Sequence, residues 1–543
     1  MPTTVADLVV ARLRAAGTRA LFGVPGGGSN LDLVEAARRA RLPFILTSTE
    51  TGGAIAAQAQ ADLTGHPGAC LTTLGPGVAS AMNGVACAWL ERSPIVLFTD
   101  SHAEKDHGHF LHQDLDHHGL ARAIVKRTER LRPKTAAFVI DRAITTAMRG
   151  QPGPVHLDCP GDVLGAAAPA SSTSAKDARV RRLTVGDVDR PPPASALKRL
   201  KGLLARARKP ILIVGVGARR AADAKSLDAL CRERDVPAMV TYKAKGVVPD
   251  RHPWFAGIFM NASIDQAIVA SADLIIGLGL DPVELLPKPW PFTAPVVSLC
   301  PWPTGAGQVP FALKIVIEIR AAIDALRSGL SRSGWRQADV AAARQAQLAA
   351  LDIPGDGLTA QGAIRVLATH LAGTHRLTVD AGAHMLPATM LWPCREPNGL
   401  LISNGLATMA FSLPAAIGSA VADPKTPVVA FIGDGGLLMC VGELRTAARE
   451  KLAIVVVVFN DSSLSLIEIK QIARRLPAAG VALGSVDWAA AAASMGVAGF
   501  RARNERELAD AIGRATATAG PSLIDVTIDR SNYPATFRAI RGS

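Results

Sequence analysis

One aspartate wedged between glycines is the first residue in this chain placed to do chemistry. The stretch "VVAFIGDGGLL" closes a β-branched and aromatic run with Gly433, Asp434, Gly435 and Gly436, then returns to apolar residues. Asp434 thus falls at the carboxyl end of a predicted strand, where open parallel sheets bind ligands. Gly435 and Gly436 carry no side chains, so backbone amides there can approach an anion. A diphosphate needs such amides together with a hard divalent cation, and Mg²⁺ takes oxygen ligands and binds through phosphates. Downstream, the apolar run Leu452 to Phe459 leads into "NDSSLSL". If the two strands are neighbours, Asp461 offers a carboxylate oxygen beside Asp434, and Ser463 a carbonyl or hydroxyl. GDG alone marks many turns. GDG, a helix, a β-branched strand and a polar tetrad in that order is a stronger signal.

A second acid, Glu50, ends "FILTSTE" and precedes "TGGAIAAQAQ" at a predicted strand-to-helix junction. By position it is either a proton-holding group or an acid stabilising a helix N-terminus. Residues 102–118, "HAEKDHGHFLHQDLDHH", hold six of the twelve histidines. Counting alone allows zinc, but no liganding set stands out and no cysteine joins it. Solvated loop histidines account for most of the cluster.

These residues need a scaffold. The chain has 543 residues, 49% apolar and 19% charged, enough for several domains and not for one core. Short apolar runs alternate with helical patterns: "GACLTTLGPG" and "SPIVLFTD", then "PILIVGVGA" and "ADLIIGLG", then "HRLTVDAG", "LAIVVVVFND" and "SLIDVTID". Continuous apolar strands separated by helices predict an α/β protein with parallel sheets covered on both faces. Seams rich in Ala, Ser and Pro, or in Gly and Ser, divide it into domains 1–165, 194–328 and 340–543, with linkers 166–193 and 329–339.

The net charge of +13 comes from dispersed basic residues, and only two tyrosines occur. That excludes a stacking platform for nucleic acid and suits anionic small molecules. Eight residues is the longest strongly apolar run near the end, too short for a membrane span. The start of the chain reads as an amphipathic helix and not as a secretory signal. Seven scattered cysteines without a CxxC pair fit free thiols in a reducing compartment, so a cytoplasmic protein is expected. In the middle block, "GVGARR" lacks the third glycine of a dinucleotide fingerprint, because Arg220 stands there.

The ordered motifs resemble the thiamine diphosphate-dependent superfamily of acetolactate synthase, pyruvate oxidase and benzoylformate decarboxylase, most closely its acetolactate synthase-like branch. The match runs from Gly433-Asp434-Gly435 to Asn460-Asp461, with 27 residues from Asp434 to Asp461. Asp461 replaces the family's usual asparagine, which keeps an oxygen ligand and adds negative charge. "ISNGLATMAFSLPAAIGSAVA", "VDAGAH", "LFGVPGGGSNLDLVEA", "TTLGPGVASAMNGVACAWLERSPIVLFTD" and "GPVHLDCPGDV" extend the likeness over most of the chain. The resemblance implies a pyrimidine-binding first domain, a central domain and a diphosphate-binding third domain. It makes Asp434, Asp461 and the Ser463 carbonyl the Mg²⁺ ligands. Gly382, Ala383, His384, Gly433, Gly435 and Gly436 are implied to surround the diphosphate, and Met409 to prop the bent cofactor.

By the same resemblance Glu50 is the catalytic acid beside the pyrimidine, and His112 and Gln113 lie on the loop that enters the active site. Gln113 matches the glutamine of the acetolactate synthase and pyruvate oxidase branch. Ser29 lies one or two positions past the substrate-contacting residue of some relatives, and no role is assigned to it. The implied substrate is a 2-oxo acid. The implied reaction is decarboxylation with transfer of the acyl unit to a carbonyl acceptor, and the alternatives are simple decarboxylation to an aldehyde or a catalytically degraded homologue. Relatives often bind FAD in the central domain. Here Leu280 replaces the usual arginine, and Asp281 and Glu284 add negative charge, so FAD is not expected. A homodimer or homotetramer with active sites between subunits completes the expectation.

Overall fold

The computed structural model describes all residues except 1–2, 107, 170–185, 187, 189, 306 and 543, so most of the linker expected over 166–193 lies outside the described residues. Three six-stranded sheets carry the chain. The first contains β1 (Leu21–Val24), β2 (Phe44–Leu46), β3 (Gly68–Thr72), β4 (Ile95–Ser101), β5 (Arg127–Arg130) and β6 (Val155–Pro160). The second contains β7 (Pro210–Val214), β8 (Ala238–Val240), β9 (Phe255–Ile258), β10 (Leu274–Leu278), β11 (Val296–Cys300) and β12 (Phe311–Val316). The third contains β13 (Arg376–Val379), β14 (Leu400–Ile402), β15 (Val428–Gly433), β16 (Ile454–Asn460), β17 (Ala498–Ala502) and β18 (Ser522–Thr527). Every strand pairing is parallel. This is the three-domain α/β architecture expected from the apolar runs.

The first and third sheets share one topology, β2-β1-β3-β4-β6-β5 and β14-β13-β15-β16-β18-β17. The middle sheet runs β12-β11-β10-β7-β8-β9, the doubly wound order of dinucleotide-binding folds. In each sheet the chain turns back from its first edge across one central pair of strands. Ligands of such sheets bind outside the carboxyl ends at that reversal. In the third sheet the pair is β13 and β15, which places residues 380–384 beside Gly433 and Asp434. β16 lies on the other side of β15, with Gly433 opposite Phe459. The strands after GDG are therefore neighbours.

The first and third domains pack through two small-residue helices, Glu50–Thr64 and Ser412–Ala422. A Cβ on Gly418 would stand 2.1 Å from the Ala56 carbonyl oxygen, so only glycine permits this approach. Helix Gln337–Ala349 lies against the middle sheet, where the Gln347 side chain bonds the amide and carbonyl of Ile258 on β9. All seven cysteines are buried free thiols. Among the described residues no helix is long and apolar enough to cross a membrane.

A buried ionic cluster joins all three domains. Lys243, 5% exposed, lies 3.2 Å from both Asp62 and Glu91, and Arg219 bonds Asp62 at 2.8 Å. Burial opposes the Lys243 charge, but the two carboxylates prevail and hold its pKa above the ordinary lysine value. Glu91 in turn accepts the Gly405 amide at 2.7 Å and the Ser403 hydroxyl at 3.2 Å. The first domain thereby grips the loop that carries Met409.

Candidate functional site

A cavity of about 200 Å³ opens at the carboxyl ends of β13, β15 and β16. Gly382, Ala383, His384, Met409, Gly433, Asp434, Gly435, Gly436, Asp461 and Ser463 all line it. The third-domain residues singled out in the sequence thus meet in one place. A helix, Asp434–Cys440, starts at Asp434 itself, with a second at Glu443–Arg449. The one helix expected between GDG and the next strand is thus two short helices. Asp434 accepts the Gly435 amide at 2.8 Å. Its pKa is raised by burial against the opposing pull of the Gly435 and Ser462 amides. Asp461 is pushed up to about 7, first by burial and then by the Asp434 carboxylate.

A buried and a half-buried carboxylate repelling one another in a cavity fit a hard cation. Among the described residues no group of three or more His, Cys, Asp and Glu could hold a metal. A cation here would therefore depend on the Ser463 carbonyl and on ligand oxygens to complete its shell. Among the described residues the six-histidine segment offers no metal site either: His117 and His118 face Asp158, Arg130 bonds the same carboxylate, and His107 lies outside the described residues.

Close packing requires the two glycines after Asp434. A Cβ on Gly436 would lie 2.0 Å from Asp380 Oδ2, and one on Gly435 would lie 2.7 Å from Leu464. His384 is buried, stacked on Phe459 at 4.9 Å, and its Nε2 atom has no partner. Burial lowers its pKa to about 4, so the ring is neutral at physiological pH. A neutral imidazole with an unpaired nitrogen can donate to or accept from a ligand.

The sequence reading passed over three residues. Asp380, fully buried, accepts the amides of Ala410 and Phe411 and so pins the segment after Met409 to the strand end. Tyr533 comes from a distant helix, Tyr533–Arg541, to line the cavity. Glu443, just after the aspartate helix, accepts the amides of Ser48 and Thr49 at 3.0 and 3.3 Å. Asp380 lay in the quoted "VDAGAH" and was readable as an acid ending an apolar strand. For Glu443 and Tyr533 no local signal exists, because their partners lie far away in the chain.

Glu50, His112 and Gln113 do not line this cavity. Thr49 caps the Gly52 amide and starts the helix at Glu50. Glu50 points at the turn Gly75–Gly77, its Oε1 3.1 Å from where a Gly77 Cβ would stand. The Cβ and backbone of the exposed Gln113 press on the same turn, 2.8 Å from the position of a Gly75 Cβ. Gly75 has φ +62°, and its amide donates to His117 Nε2 at 3.1 Å. One turn therefore collects Glu50 and Gln113. His112 is exposed, and its carbonyl bonds the His102 ring. Ser29 is committed to structure, donating to Asp100 and to the Cys159 carbonyl.

Three domain profiles match this chain, described as the N-terminal TPP binding domain (residues 3–120), central domain (197–326) and C-terminal TPP binding domain (380–526) of thiamine pyrophosphate enzymes. With all three in order over most of its length, the chain belongs to the thiamine pyrophosphate-dependent enzyme family. Among similar proteins is "Acetolactate synthase" of Bacillus subtilis (strain 168), 27% identical, covering 97% of this chain and 93% of that protein. "Acetolactate synthase, catabolic" of Raoultella terrigena is 28% identical over 97% and 96%. "Acetolactate synthase isozyme 2 large subunit" of Escherichia coli (strain K12) is 27% identical over 96% and 95%.

Proposed function

We propose that this enzyme is an acetolactate synthase-like carboligase, decarboxylating a 2-oxo acid and joining the acyl unit to a carbonyl acceptor. The third-domain cavity carries this reading: Asp434, Asp461, His384 and the glycine turns meet there, in a chain matched over nearly its whole length by acetolactate synthases. When bound, thiamine diphosphate supplies the carbon nucleophile and takes up the electrons left as carbon dioxide departs. Asp434, Asp461 and the Ser463 carbonyl would hold Mg²⁺, and the glycine amides with His384 would receive the diphosphate. Met409, which lines the cavity, would pack against the cofactor. Glu50 would hold a proton at the pyrimidine nitrogen. Gln113 would donate to a substrate oxygen, and His112 would shuttle a proton.

Each active site would form between two copies of the chain, since Glu50 does not line the cavity of its own chain. Exposed apolar residues flank both halves: Leu438, Met439 and Ile467 by one, Phe110, Leu111 and Leu115 by the other. A homodimer is the minimum, and a homotetramer would pair two. Free buried thiols suit a cytoplasmic enzyme.

Supplied with pyruvate, thiamine diphosphate and Mg²⁺, the enzyme is expected to release carbon dioxide and acetolactate. Acetaldehyde in place of acetolactate would make it a decarboxylase. The extra charge at Asp461 predicts a tighter metal site, since cation affinity follows ligand charge. Replacing Asp461 by Asn should raise the Mg²⁺ concentration for half-saturation about 3- to 10-fold, with cofactor binding recovered at high Mg²⁺. Calorimetry at graded Mg²⁺ checks this, and unchanged affinity would show that the Asp461 charge adds nothing to the metal site.

A further inference from the structure

The reversal point of the middle sheet lies between β7 and β10, where a doubly wound fold would seat the diphosphate of a dinucleotide on glycine-turn amides. Here those amides are already spent. The Gly215 amide donates to the Leu278 carbonyl, Gly217 to Gly279, and Ala218 to Gly215. The fourth, Val216, donates at 2.9 Å to Oε2 of Glu284. On the facing turn, Gly279 donates to the Leu299 carbonyl, and the Asp281 amide points at the same Glu284 oxygen from 3.5 Å.

Glu284 is 4% exposed, and Thr241, just past the end of β8, donates its hydroxyl to Oε1. A Cβ on Gly215 would stand 2.6 Å from Oε2, so the carboxylate lies directly against the glycine turn. Its backbone carbonyl accepts from Asn404 of the third domain. Next to it Asp281 accepts from Arg92 of the first domain at 2.8 Å and from the Trp302 indole at 3.1 Å. Segment 281–284 thus touches both other domains from the position a bound cofactor would take.

We propose that Glu284 is a built-in substitute for the diphosphate of a nucleotide cofactor, so that the central domain keeps its fold and its interdomain contacts with no flavin or adenine nucleotide bound. The acid that deterred FAD by charge in the sequence thus has a closer role: it fills the seat. A carboxylate receiving an amide at a glycine turn is the same chemistry as a phosphate oxygen there. The seal is local. A cavity of about 410 Å³ remains open between the first and middle domains, bordered by Val216 and Gly217 of this same turn and by His66, Arg219, Arg220 and Trp302, so Glu284 occupies the amides and leaves the space next to them empty.

The test uses the holoenzyme, with thiamine diphosphate and Mg²⁺ saturating so that the third-domain site is filled. Wild-type protein should purify without flavin absorbance, and FAD, ADP or inorganic pyrophosphate at millimolar concentration should leave its melting temperature unmoved. Glu284→Ala frees the Val216 amide and should melt about 2–6 °C lower. Inorganic pyrophosphate should then restore part of that loss, whereas Glu284→Gln, which keeps an acceptor oxygen, should not respond. Stoichiometric FAD or ADP binding to wild type would overturn the proposal, as would a folded Glu284→Ala protein indifferent to pyrophosphate. If Glu284→Ala does not fold, the wild-type titrations decide. Both arms are independent of which 2-oxo acid the enzyme uses.

Discussion

Changing Glu50 to Gln should lower turnover by about 10²- to 10⁴-fold, the range supplied by a positioned acid–base group, while Mg²⁺-dependent cofactor binding persists. The separation follows from where the residues sit. Asp434 and the glycine turns lie in the third-domain cavity, and Glu50 lies at the Gly75–Gly77 turn of the first. Glutamine keeps the size and hydrogen-bonding reach of the side chain but cannot give up or hold the proton. Asp434→Ala should behave in the opposite way and lose Mg²⁺-dependent binding itself. Calorimetry for binding and a substrate-depletion assay for turnover check the pair. Equal loss of binding in Glu50→Gln would reduce Glu50 to a structural acid at a helix start.

Lys243→Met should destabilise the protein by about 3–5 kcal/mol, because it leaves buried carboxylates without their cation. Lys243 sits between Asp62 and Glu91, at 3.2 Å from each, and Arg219 compensates only Asp62 directly. Methionine fills most of the lysine volume, so the loss is electrostatic more than a cavity. Glu91 also holds the Gly405 amide and the Ser403 hydroxyl, and Ser403 receives the Thr408 amide. Weakening that grip should loosen the Met409 loop and reduce cofactor affinity along with stability. Urea unfolding followed by fluorescence, with and without cofactor, reads both effects. A variant as stable as wild type would show that Arg219 and solvent suffice for the cluster.

Much of this was legible because buried parallel strands announce themselves. "IVVVVF" has no polar face, and β16 is covered on both sides. β15 ends at Gly433 next to it, so one motif reads both the fold and the cavity. Edge strands are quieter: β5 is the polar "RTER", partly exposed, and β17 is "AGFRA", and neither shows an apolar run. The third-domain cavity was readable because most of its residues cluster in three short motifs at strand ends, with Met409 added by a fourth stretch. Glu443 and Tyr533 were not, since each acts on a segment far away in sequence. Glu284 is the clearest case of partial sight. Its charge was visible, but only the fold shows that the charge faces the Val216 amide.

The central claim is a site split between copies, with Asp434 of one chain serving the cofactor that Glu50 of another activates. Mixing Glu50→Gln protein with Asp434→Ala protein under subunit exchange tests it, read by deuterium exchange at the thiazolium C2 proton, which needs no substrate. Each variant alone should be nearly silent. Random mixed dimers carry one intact site in two, so roughly a quarter of wild-type exchange should return. No recovery despite proven subunit exchange would contradict the split site and require Glu50 and Asp434 to act within a single chain.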